Sequence, residues 1–299
     1  MKKWLMYALM VGVLTGCNSQ NQDRAETESL LVTEAMTESQ MEVKTEAQTE
    51  TKNETESESE TESESETEIM TETETQTETE TEMQTEIEEG PIVVIDPGHQ
   101  GPGFDMSGQE AIAPGSSETK LRIVSGTTGR TTGLAEYILN LDISLLLRDE
   151  LINRGYQVVM TRETHDIDIS NIERAQVATN AGADIVVRIH ANGVDDTNVA
   201  GALTMAPSAA NPYVGHMYEE CNYLSRVIIN RYCEATGLQN RGILEVDYMT
   251  GINWSTVPVT IVEMGFMTNP GDDTYMADPA NHEAMVVGIA NGIDEYFGR

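Results

Sequence analysis

Ile92-Val-Val-Ile-Asp-Pro-Gly-His99 is the stretch on which the reading of the folded part of this chain turns. Ile92–Ile95 is a short apolar run, and it predicts a buried strand. Asp96-Pro97-Gly98 then forms a turn that re-aims the backbone and presents a histidine beyond the strand. Two further runs end in the same way. Asp184-Ile-Val-Val-Arg-Ile-His190 finishes on a histidine, and Pro258-Val-Thr-Ile-Val-Glu263 on a carboxylate. In α/β sheets, sites form outside the carboxyl ends of strands. One chemistry-bearing strand end carries little weight, but three point to convergence on one site.

Working outward, strands and helices alternate. Residues 133–154 read as a helix, with apolar residues at Leu134, Ile138, Leu141, Leu145 and Ile152 and a stop at Gly155. Tyr156–Thr161 reads as a strand. Ser170-Asn-Ile-Glu173 has the form of a capping box opening a helix to about Asn180. Asp184–His190, Gly201–Ala206 and Pro258–Glu263 read as strands, and 214–236 and 279–297 as helices. This alternation predicts an α/β fold: a single domain whose mostly parallel sheet is covered by helices on both faces. Residues 100–132, rich in Gly, Ser and Thr and without sustained period, read as a long loop of functional interest.

Composition divides the chain in three. Of 299 residues, 51 are acidic and 17 basic, a net charge of −34. Residues 18–90 carry 24 acidic and 3 basic side chains in near alternation with Thr and Ser. That segment has no apolar face to bury and predicts a disordered, self-repelling tether. Residues 91–299 carry a net −15 and are long enough for one globular domain. No basic stripe exists to meet phosphates, so no nucleic-acid partner is expected. Residues 1–17, MKKWLMYALMVGVLTGC, place two lysines before about a dozen mostly apolar residues. The stretch is short for a membrane span and suits an export signal. Its end, Leu14-Thr15-Gly16-Cys17, resembles a bacterial lipobox, which implies cleavage before Cys17 and lipid attachment to its thiol. The expectation is an exported domain, anchored to the membrane by lipid and held in the cell wall or periplasm by its tether. Cys221 and Cys233 fall about 18 Å apart along one predicted helix, too far for a disulfide.

Two histidines and a carboxylate are the ligands of a hydrolytic zinc site that leaves one position open for water. A further carboxylate then takes the proton. Glu136, in the first turn of the 133–154 helix, and Glu263 compete for these two roles, and the pattern of residues leaves both assignments open. His165, His216 and His282 lie in a polar loop or near helix starts and are read as structural.

Taken in order, IVVIDPGH at 92–99, Glu136 four residues before Asn140, RIHAN at 188–192 and VPVTIVEMGFMTNP at 257–270 resemble the zinc-dependent N-acetylmuramoyl-L-alanine amidases of bacterial cell-wall turnover. The resemblance covers about residues 91–297. It implies His99, Glu136 and His190 as zinc ligands, Glu263 as the catalytic carboxylate, and peptidoglycan as the substrate. The chain departs from compact members of the family in the length of the 100–133 segment. Within it Glu110 and Glu118 rival Glu136 as ligand, and an activator protein moving this segment is left open. Asp96 is expected to accept a hydrogen bond from a ligand imidazole or to cap its own turn. Arg162 is expected to orient a carboxylate or substrate, or to form a surface salt bridge. Asn192 is expected either beside the ligands or in a turn. The rival functions are a zinc peptidase cutting within the stem peptide and an inactive wall-binding lipoprotein.

Overall fold

The computed structural model describes residues 90–299. The expected export signal, Cys17 and the tether up to residue 89 lie outside the described residues. Among the described residues there are eight strands: β1 (Ile92–Pro97), β2 (Gln109–Ala111), β3 (Thr119–Leu121), β4 (Gln157–Met160), β5 (Ile185–Asn192), β6 (Ala202–Ala206), β7 (Asn240–Glu245) and β8 (Val259–Phe266). The helices are α1 (Glu136–Asn153), α2 (Asn171–Ala181), α3 (Tyr218–Thr236), α4 (Thr250–Asn253), α5 (Pro270–Ala277) and α6 (His282–Phe297).

Six strands form the central sheet in the order β4-β1-β5-β8-β6-β7. The first four run parallel, β6 pairs antiparallel with β8, and β7 runs parallel to β6. Alternation along the strands divides the core. Val93, Ile95, Val187, Ile189 and Val262 point to one face, where they meet Leu139, Ile143 and Leu147 of α1, Ile228 and Tyr232 of α3, and Ile289 and Ile293 of α6. Val94, Val186 and Ile261 point to the other, toward Ala178 of α2 and Ile252 of α4. The expected sheet, mostly parallel and helix-covered on both faces, is therefore the observed one.

Local chemistry sets the element ends. The Ser170 side chain accepts from the Glu173 amide and the Glu173 side chain from the Ser170 amide, the predicted capping box, and Gly182 ends α2 in the left-handed conformation. At the close contact between α3 and α6, a Cβ on Gly292 would lie 2.4 Å from the Ile228 Cα.

The 100–132 segment is more ordered than a loop. Its β2 and β3 form a short antiparallel hairpin pairing Glu110 with Lys120. The hairpin docks on the sheet's α2/α4 side: the Trp254 indole donates to the Ala111 carbonyl at 2.9 Å, and the Ile172 amide to Glu110 Oε2 at 3.2 Å. Cys221 is buried, Cys233 half-buried, and both are free thiols.

Candidate metal centre

Three elements bring their side chains together at the carboxyl end of the sheet. His99 follows β1, His190 lies near the end of β5, and Glu136 opens α1. Their ligand atoms lie within 4.8 Å of one another, the one such grouping among the described residues. Glu136 Oε1 is 3.2 Å from His99 Nε2 and 3.2 Å from His190 Nδ1. The two rings meet edge to face, with centroids 4.8 Å apart.

The surroundings fix each group. His99 Nδ1 lies 2.8 Å from the Val124 carbonyl, which can only accept, so Nδ1 carries a proton and Nε2 is the ring nitrogen that faces Glu136. The Glu136 carboxylate accepts from the Thr127 amide at 2.8 Å, the Ala191 amide at 3.1 Å and the Asn140 amide group at 3.2 Å. Gly98 must lack a side chain, since a Cβ there would fall 2.3 Å from His190 Nε2. His99 itself has φ of 59°, the one positive value outside glycine among the described residues.

A ring nitrogen facing a carboxylate oxygen at 3.2 Å is favourable with a proton or a metal cation between the two atoms. His190 Nε2 is also buried without a hydrogen-bond partner. Two imidazoles and one carboxylate, with His99 and Glu136 held from behind by backbone groups and Asn140, fit a divalent metal with nitrogen and oxygen preference. The electrostatics agree. Burial pushes the His190 imidazole down to about 4 despite the adjacent carboxylate, so it is neutral near pH 7 as a ligand must be. Burial alone would raise the Glu136 carboxyl, but His99 and the His190 hydrogen bond outweigh it and hold it well below the usual carboxylate range.

Glu263 stands beside this cluster. It is the register partner of His190 across β5 and β8, so the two side chains leave the same face of the sheet. Only 5% of it is exposed, and its Oε2 is buried without a hydrogen-bond partner. Burial, and next the charge of Glu136, push its carboxyl well above the ordinary range. The two glutamates that the residue pattern left ambiguous thus occupy different environments: Glu136 is an anchored anion and Glu263 a carboxyl biased toward its protonated form.

The remaining expectations fare differently. Asp96 bonds no imidazole. Its carboxylate accepts from Arg174 at 2.6 Å, Arg188 at 2.6 Å and the Thr161 hydroxyl. Arg162 is buried rather than in a surface pair, and it donates to the carbonyls of Pro97, Gly98, Tyr137 and Thr164. Asn192 is buried and its side chain accepts from the Gly193 amide at 2.8 Å, a turn contact. Glu110 is committed to the Ile172 amide and Glu118 is exposed, and neither joins the cluster. Sequence reasoning missed Arg174, whose signal was an arginine inside the capping-box helix, and the strap Val124–Thr127, which carries no motif.

Comparison with known proteins gives the same picture. The model of a family described as N-acetylmuramoyl-L-alanine amidase matches residues 93–295. The chain is similar to the uncharacterized protein YqiI of Bacillus subtilis, 30% identical over 173 residues that span 58% of this chain and 79% of that one. It is also similar to the N-acetylmuramoyl-L-alanine amidase LytC of Bacillus subtilis, 27% identical over 58% of this chain but only 33% of that protein. Among solved structures, the N-acetylmuramyl-L-alanine amidase Ami1 of Mycobacterium abscessus aligns with a TM-score of 0.63 at 26% identity, covering 70% of this chain and 99% of that one. Since the family match takes in β1, α1, β5 and β8, the elements that carry the cluster and Glu263, this chain belongs to the N-acetylmuramoyl-L-alanine amidase family.

Proposed function

We propose that this chain hydrolyses the amide bond joining the lactyl group of N-acetylmuramic acid to L-alanine in the peptidoglycan stem peptide, with zinc held by His99, Glu136 and His190. The observation that carries the reading is Glu263: a buried carboxyl with a raised pKa, in register with a residue of a three-donor metal cluster. Amide hydrolysis is slow because the carbonyl is resonance-stabilised and the amine leaves poorly. Bound zinc would polarise that carbonyl and acidify the attacking water.

The protein's own residues do the rest. Glu136, low in pKa and fixed by three donors, remains an anion and does not compete for the proton. With a bound cation offsetting the Glu136 charge, Glu263 would be ionised, take the proton of the attacking water and deliver it to the departing L-alanine nitrogen. Its raised pKa favours holding the proton between the two transfers. Asn140 ties Glu136 to the turn before His99, donating to Glu136 Oε1 and to the Gly98 carbonyl, both at 3.2 Å.

The chain would act outside the cytoplasm, anchored through a lipid on Cys17 with residues 18–90 as spacer. No helix among the described residues is long and apolar enough to cross a membrane. Palmitate labelling that persists in Cys17→Ala would remove the anchor from this account. For the chemistry, Glu263→Ala is expected to lose roughly 10²- to 10⁴-fold in kcat at saturating zinc while keeping a full zinc complement. A variant that keeps near-normal kcat would exclude Glu263 as the proton carrier.

A further inference from the structure

Arg162, Arg174 and Arg188 are all buried beside the carboxyl end of β1. Asp96 is the carboxylate that pairs with two of them, Arg174 and Arg188. Burying cations in excess of their counter-charge is costly unless their donors are used. Arg188 donates to Asp96 and Asn171, while donors of Arg162 and Arg174 converge on one short piece of backbone. Arg174 Nη1 donates to the Pro97 carbonyl at 2.8 Å, and its Nη2 to the His99 carbonyl at 2.8 Å and to Gln100 Oε1 at 2.7 Å. Arg162 Nε donates to the Pro97 carbonyl at 2.9 Å, and its Nη2 to the Gly98 carbonyl at 3.1 Å and the Tyr137 carbonyl at 2.8 Å.

Three consecutive carbonyls, Pro97, Gly98 and His99, therefore all end on guanidinium donors. The same three residues contain the left-handed backbone of His99, a conformation that a non-glycine residue keeps only where its surroundings over-determine it. They also contain Gly98, where a Cβ would run into the His190 ring. Through Tyr137, Arg162 further joins this turn to the start of α1, next to Glu136.

We propose that Arg162 and Arg174 are positioning residues of the metal centre. They hold His99 in its left-handed conformation and set its distance from Glu136, and neither is asked to touch substrate. This rests on the reading of His99, Glu136 and His190 as zinc ligands. Lysine keeps the charge but offers no planar fork, so it cannot reach carbonyls on both sides at once.

The test uses the full chain as wild type, Arg174→Lys and Arg162→Lys, with folding checked by circular dichroism. Zinc affinity is measured by competition with a chelating dye, and site geometry by the visible absorption of the cobalt-substituted protein. Each folded variant is expected to bind zinc on the order of 10- to 100-fold more weakly and to show an altered cobalt band. Arg162 has no salt-bridge partner among the described residues, so Arg162→Lys carries the test should Arg174→Lys fail to fold. A lowered melting temperature with wild-type zinc affinity and an unchanged cobalt band would overturn the proposal and leave the arginines a role in stability alone. Wild-type protein that holds no zinc would overturn the ligand reading, and this inference with it.

Discussion

Glu263 and Asp96 are both buried carboxyl groups, and their environments push them in opposite directions. Burial and Glu136 raise Glu263, so in metal-free protein its favourable contribution is present below the ordinary carboxylate range and is lost as pH rises. Removing the titration with Glu263→Gln should therefore stabilise the metal-free protein near neutral pH, with the advantage fading toward about pH 4. Melting curves in chelator across that range test this, and parallel pH profiles for variant and wild type would refute it. Asp96 is the reverse case. Burial would raise it, but Arg174 and Arg188 outweigh that and hold it far below the usual range, so its contribution is present above that range and lost as pH falls. Asp96→Asn leaves buried guanidiniums without their shared anion and is expected to cost about 3–5 kcal/mol in denaturant unfolding; a loss under about 1 kcal/mol would contradict the ion-cluster account. The positions of His99, His190 and Glu263 were legible because each ends an apolar strand run. The role of Asp96 was not, because its partners lie 78 and 92 residues further along the chain.

At the scale of elements, the segment between β1 and α1 packs against the His99–Glu136–His190 cluster. Its hairpin docks on the α2 side, and its final strap supplies the Val124 carbonyl to His99 and the Thr127 amide to Glu136. Gly126 in that strap has φ of +78°, and a Cβ on it would lie 2.6 Å from Glu136 Oε2 and 2.7 Å from His99 Cδ2. Gly126→Ala is expected to weaken zinc binding by about tenfold or more. Gly115→Ala, at φ of +77° with open space around its Cβ, is the matched control for backbone strain alone and should leave zinc affinity unchanged. Equal effects in the two variants would show that strain, not the strap's contact with the ligands, is being measured. The hairpin escaped sequence reading because strands of three residues show too little alternation to register. Helix α5 escaped although its signal was present: Asn269 caps it, Pro270 follows, and Asp272 and Asp273 fill the first turn.

Across the whole molecule, the alternation of strand and helix made the sheet and its two helical layers legible, and with them the edge at which the site lies. The reversed direction of β6 was less visible. Only nine residues separate β5 from β6, too few for a parallel crossover, so the chain turns back and joins the far side of β8. This arrangement leaves β1, β5 and β8 side by side at the centre, with His99, His190 and Glu263 at one end and α1 adding Glu136. The central claim is that this end of the sheet is a zinc amidase site acting between sugar and peptide. It is tested most directly by digesting purified peptidoglycan with the full chain, with added zinc, with chelator and as Glu263→Ala, and reading the products by mass spectrometry. The account predicts zinc-dependent release of intact stem peptides bearing a free L-alanine amine, absent with chelator and in the variant. Cuts within the stem peptide, or the same products in chelator, would contradict it.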